Sequence, residues 1–80
     1  MTLMIQLSGY NKRTELIAAE HQVPANKADR VKQIAAVAMT DPDVLGAYPL
    51  NEAQAQQIAG EINQPINPRL YDWFLQGYEE

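Results

Sequence analysis

Apolar residues recur through most of this chain at the i, i+3, i+4, i+7 spacing that places them on one face of a helix. Val31, Ile34, Ala35 and Ala38 make the clearest stripe, with Asn26 as N-cap and Asp29 near the free amides of the first turn. Ala55, Ile58, Ala59 and Ile62 repeat it behind Asn51, with Gln54 in the capping-box position and Leu50 in the staple position. Leu16, Ala19 and Val23 predict a first helix from about Lys12 to Gln22. Leu70, Phe74 and Tyr78, with Trp73 beside them, predict a last helix opened by Asn67-Pro68. Asp41-Pro42 reads as a cap followed by proline at the first position of a short helical turn, closed by Gly46.

Pro24, Pro42, Pro49, Pro65 and Pro68 all fall between these segments, where a helix has to stop. Only the first residues depart from the period. Leu3, Ile5 and Leu7 alternate with Thr2, Met4 and Gln6 before the turn chemistry of Ser8-Gly9. A lone strand cannot satisfy its own backbone, so this segment requires a partner strand, with a second chain as one source. The expected fold is all-α: one domain, a compact bundle of four to five short helices over residues 10–80, preceded by a short extended segment at 1–9.

Composition changes this picture in two places. The chain has 80 residues and a 46% apolar share, but 11 of its residues are Ala, which buries little area. Homodimerisation is therefore one route to a complete core, since a domain of this size buries only about 60% of its unfolded surface. The net charge of −4 divides into +2 over residues 1–40 and −6 over residues 41–80. The absence of Cys excludes a disulfide frame, a thiolate zinc site and a Cys nucleophile. No basic residue precedes the apolar start, and no apolar run approaches the ~18 residues of a span. A cytoplasmic protein without signal peptide or membrane segment is expected.

Catalytic chemistry is not expected. His21 stands alone at the end of the first predicted helix, facing solvent, and Ser8 lacks a nucleophile elbow. The carboxylate pairs Asp41/Asp43 and Glu79/Glu80 lie in charged, exposed contexts, and no cofactor or metal is implied. Residues Asp41 to Glu52 resemble an EF-hand calcium loop, with acidic first and third positions, Gly46 sixth and Glu52 last. Leu45, Tyr48 and Pro49 depart from that pattern, and two successive helix caps account for the same residues.

Residues 14–33 are similar to the helix-turn-helix of bacterial repressors, through Ile17, Ala18, Val23, Ala28 and Val31. The resemblance implies that Asn26, Lys27, Arg30 and Lys32 face DNA from the second helix. Gln22 stands where the turn usually has Gly, and His21 where an apolar residue is usual. The other outlier is the tail. Four of six aromatics, Tyr71, Trp73, Phe74 and Tyr78, lie within ten residues. More than one helix face needs is apolar there, so Leu70, Tyr71, Trp73, Phe74 and Tyr78 are the candidate protein-binding residues. The leading expectation is a small non-enzymatic protein-binding module, such as an adaptor, inhibitor or regulatory subunit, acting through an aromatic C-terminal helix. The alternative is a helix-turn-helix DNA-binding regulator.

Overall fold

A computed structural model describes residues 3–41 and 44–79, and it overturns the all-α expectation. The chain folds as a four-stranded antiparallel sheet in the order β2-β1-β4-β3, with two short helices. The strands are β1 (Leu3–Asn11), β2 (Ile17–Val23), β3 (Tyr48–Pro49) and β4 (Tyr71–Glu79). The helices are α1 (Ala28–Ala35), entered through a 3₁₀ turn at Ala25–Lys27, and α2 (Glu52–Glu61). Among the described residues no helix is long and apolar enough to cross a membrane.

The extended start is therefore real but longer than predicted, and its partners come from the same chain. Ser8-Gly9 does not end it. Leu7 sits between His21 of β2 and Leu75 of β4, and the pairing with β4 continues from Leu3↔Glu79 to Asn11↔Tyr71. The first predicted helix is instead the turn after β1 followed by β2. The Asn11 side chain accepts the N–H groups of Arg13 at 2.8 Å and Thr14 at 3.0 Å, which turns the chain. Glu15, in the left-handed region, completes the reversal. The last predicted helix is β4. Both segments misled for one reason: residues four apart share a face in a strand as well as in a helix.

Pleating divides each strand between two faces. Ile5, Leu7 and Gly9 of β1 align with Val23, His21 and Ala19 of β2 and with Gly77, Leu75 and Trp73 of β4. Both helices cover this face. Val31 and Ala35 of α1, with Ala55, Ile58 and Ala59 of α2 and Ile62 beyond it, join Leu7, Val23, Trp73 and Leu75 in one buried cluster. The predicted stripe of α2 is thus the one that is buried. Its capping box is also present: Asn51 Oδ1 accepts Gln54 N–H at 2.8 Å, and Gln54 Oε1 accepts Asn51 N–H at 3.0 Å.

The α1 stripe is cut short. Asn26 lies in the 3₁₀ turn rather than at the cap, and Ala36 turns left-handed at φ 55°, leaving Ala38 exposed. Val37 N–H returns to Lys32 C=O at 3.1 Å, which closes the helix end. The short helix predicted from Asp41 is absent among the described residues, Pro42 and Asp43 lying outside them. Residues 44–50 instead cover the outer edge of β4. Gly77 N–H donates to Val44 C=O at 2.8 Å, Tyr48 and Pro49 pair with Leu75 and Phe74, and Leu50 N–H donates to Trp73 C=O at 2.9 Å.

Candidate functional site

Among the described residues, no helix packs on the second face of the sheet. It carries Met4, Gln6, Ser8 and Tyr10 from β1, with Asp72, Phe74, Gln76 and Tyr78 opposite them on β4. Glu20 and Gln22 extend it onto β2, and a register shift after Gly9 brings Ile17 opposite Tyr10. A soluble sheet commonly leaves one face to water, and such a face is then polar. This one is mixed. Tyr10 and Phe74 meet edge to face with centroids 5.5 Å apart and planes at 88°, both half-buried. Ile17 beside them is 43% exposed.

The side chains around the ring pair are tied to one another. Gln76 Nε2 donates to the Tyr10 hydroxyl at 3.0 Å, and Gln6 Nε2 donates to Ser8 Oγ at 2.9 Å. Ser8 is wholly buried under its neighbours, so the centre of the face is filled rather than hollow. Next to the rings a cavity of about 270 Å³ is lined by Tyr10, Asn11, Glu15, Ala47, Asp72, Phe74 and Gln76. The strand positions of this face carry the carboxylates Glu20 and Asp72 and, among the described residues, no Lys or Arg.

The predicted protein-binding residues are split by the strand. Leu70 is exposed in the turn before β4, and Phe74 and Tyr78 lie on the open face. Tyr71 and Trp73 belong to the helix side. Trp73 is buried at 4% exposure, its indole N–H donating to Asn67 C=O at 3.2 Å. It packs against Tyr71 with centroids 5.8 Å apart and stacks on His21 at 6.1 Å. The aromatic helix is thus an aromatic strand, and Trp73 is core. His21 is half-buried against that indole rather than facing solvent at a helix end.

The helix-turn-helix arrangement is absent, because residues 17–23 form a strand. Lys27 and Arg30 both reach Glu61 on α2, at 3.6 and 3.2 Å, while Asn26 is exposed and Lys32 half-buried. Two of the four predicted DNA-facing residues thus tie the helices together, each pair contributing little at such exposure.

The segment that resembles a calcium loop has another use for its first carboxylate. Asp41 accepts the Tyr48 hydroxyl at 2.6 Å, Leu45 N–H at 2.7 Å and Gly46 N–H at 3.0 Å. The Tyr48 hydrogen bond above all, then the two N–H groups, holds the Asp41 carboxyl below its ordinary pKa. Its oxygens latch the edge segment. Among the described residues no group of three or more His, Cys, Asp or Glu is placed to hold a metal ion.

Tyr10, Gln76, Asp72 and Glu15 were not singled out from sequence. The signal that could have found them is alternation: Met4-x-Gln6-x-Ser8-x-Tyr10 and Asp72-x-Phe74-x-Gln76-x-Tyr78 are the polar-aromatic halves of two strands. Compared with known proteins, residues 4–76 match a family described as Domain of unknown function (DUF7683). No curated protein and no solved structure matches the chain.

Proposed function

The chain belongs to the DUF7683 family, and we propose that it is a small non-enzymatic module that binds another protein through the open face of its sheet. The observation that carries this reading is the half-buried Tyr10–Phe74 pair on an uncovered face, bordered by exposed Ile17. Aromatic side chains supply large contact area at little conformational cost and are the residues on which interfaces concentrate their energy. Charge selects the partner. With Glu20 and Asp72 on the face, a partner surface with apolar and basic groups is complementary, and the phosphate backbone of a nucleic acid is not. Two copies of this chain meeting face to face would oppose like charges, so the partner is a different protein. The compartment we assign, as from the cysteine-free, acidic sequence, is the cytoplasm.

Charge reversal on exposed positions tests the face without touching the core. Native capture is performed with the wild type, with Glu20→Arg and Asp72→Arg on the open face, and with Gln57→Arg on the exposed side of α2. A protein partner retained by Gln57→Arg and lost by both face variants supports the reading. Retention by all variants, or recovery of nuclease-sensitive material alone, refutes it.

A further inference from the structure

The cavity beside the ring pair has a lining of one chemical kind. Among the described residues its lining joins the aromatic Tyr10 and Phe74 to the acidic Glu15 and Asp72 and includes no Lys, Arg or His. Neither carboxylate has an ion-pair partner among the described residues. Gln76 spends its amide N–H on the Tyr10 hydroxyl, which leaves its carbonyl oxygen free to accept. Asn11 is already engaged, its side-chain oxygen accepting two turn amides. Rings, acceptors and negative charge together suit a cation. At about 270 Å³ the cavity is smaller than the ~300–1,000 Å³ of sites for drug-sized ligands, and it matches a side chain better than a cofactor.

We propose that this cavity is the specificity pocket of the docking face and receives an arginine side chain of the partner. A guanidinium stacks its plane on an aromatic ring while its N–H groups reach carboxylates and a carbonyl at the rim. The turn that follows β1 sets the geometry. Glu15 N–H donates to Asn11 C=O at 2.8 Å, which fixes the turn that brings Glu15 to the cavity. Asp72 approaches from β4, on the same sheet face as Tyr10.

The inference rests on the docking reading, and its test separates the two. N-acetyl-arginine methylamide is titrated into the full chain and followed by backbone amide shifts, beside the neutral isostere N-acetyl-citrulline methylamide. Saturable shifts confined to Tyr10, Asp72, Phe74, Gln76 and their neighbours, weakened by added salt and absent with citrulline, support it. The Glu15→Gln/Asp72→Asn double variant alters only exposed carboxylates and is expected to bind about tenfold more weakly, or about 1.4 kcal/mol. Asp72→Asn alone serves if the double variant loses amide dispersion, with a loss of about threefold. Equal binding of citrulline, shifts centred elsewhere, or unchanged affinity in the variants would overturn the pocket. A partner captured through the face without arginine binding overturns the pocket and leaves the docking reading standing. Arginine binding without any captured partner supports the pocket and counts against docking.

Discussion

A single methyl group at Gly9 is predicted to unseat the one tryptophan of the chain. A Cβ added there would lie 2.9, 3.0 and 3.1 Å from Cζ3, Cη2 and Cε3 of the Trp73 indole, far inside the ~3.5–4.0 Å of optimal carbon contact. Gly9 has no positive φ, so it is required here by space and not by backbone conformation. The indole cannot slide aside freely. Its N–H is bonded to Asn67 C=O, one neighbour is stacked His21, and the other is Tyr71. Overpacking of this kind costs roughly 1–3 kcal/mol, against which alanine recovers about 0.5–1 kcal/mol of the backbone entropy that glycine loses. Gly9→Ala should therefore destabilise by about 1–2 kcal/mol, lowering Tm by roughly 5–15 °C in a domain of this size. Urea unfolding followed by fluorescence of the sole tryptophan reads stability and indole environment together. Gly60→Ala is the control, because nothing lies within 4 Å of the added carbon on α2, and it should stabilise by about 0.5 kcal/mol. A Gly9→Ala protein as stable as wild type, with unshifted emission, would refute the account of this contact.

Three further outcomes follow from local geometry. Ala36→Gly should raise stability by about 0.5–1 kcal/mol in a denaturant titration, since Ala36 occupies the left-handed C-terminal position of α1 at φ 55°; a lowered midpoint contradicts this. Asn51→Ala removes the side-chain oxygen that accepts Gln54 N–H, leaving only the backbone half of the α2 capping box, and should lower stability by about 1 kcal/mol, so an unchanged midpoint argues against the cap. The Asp41–Tyr48 latch should hold only between two pH limits. The Asp41 pKa is lowered from 3.8, so its contribution is complete above that value and lost as pH falls through the lowered one. The Tyr48 pKa is raised from 10.0, mainly by its hydrogen bond to Asp41, so its contribution is lost as pH rises through the raised value. The Asp41 carboxyl and Tyr48 ring ¹³C shifts should report the two transitions, and in Asp41→Asn the Tyr48 transition should move back toward 10.0; an Asp41 midpoint at or above 3.8 sinks the latch.

Over α2 the apolar period and the side-chain cap point to the same element. Asn51 and Gln54 announce α2 unambiguously, since no strand rewards that pair, and Ala55, Ile58 and Ala59 are its buried face, with Ile62 buried just beyond its end. Over β2 and β4 the reading failed for want of length. Leu16, Ala19 and Val23 are too few to separate a period of 3.6 from one of 2, and Phe74 and Tyr78 satisfy both. Aromatic and β-branched residues favour strands, and Tyr71-x-Trp73-x-Leu75 was the better template. A helical period groups Trp73 with the binding residues, whereas alternation places it in the core. The open face was invisible for the same reason, since it exists only once β1 and β4 lie side by side. Phe74 and Tyr78 share a face in either conformation, because their spacing is even.

The central position of β1 imposes an order on synthesis. Residues 12–16 separate it from β2, but residues 12–70 separate it from β4, its neighbour on the other side. At about 5–20 residues per second, β4 emerges some 3–12 s after β1. During that interval a hairpin carrying Ile5 and Leu7 waits with one side of β1 unpaired, long compared with the ~1–10 μs in which a hairpin forms. The nascent chain thus passes through a half-sheet with a bare edge.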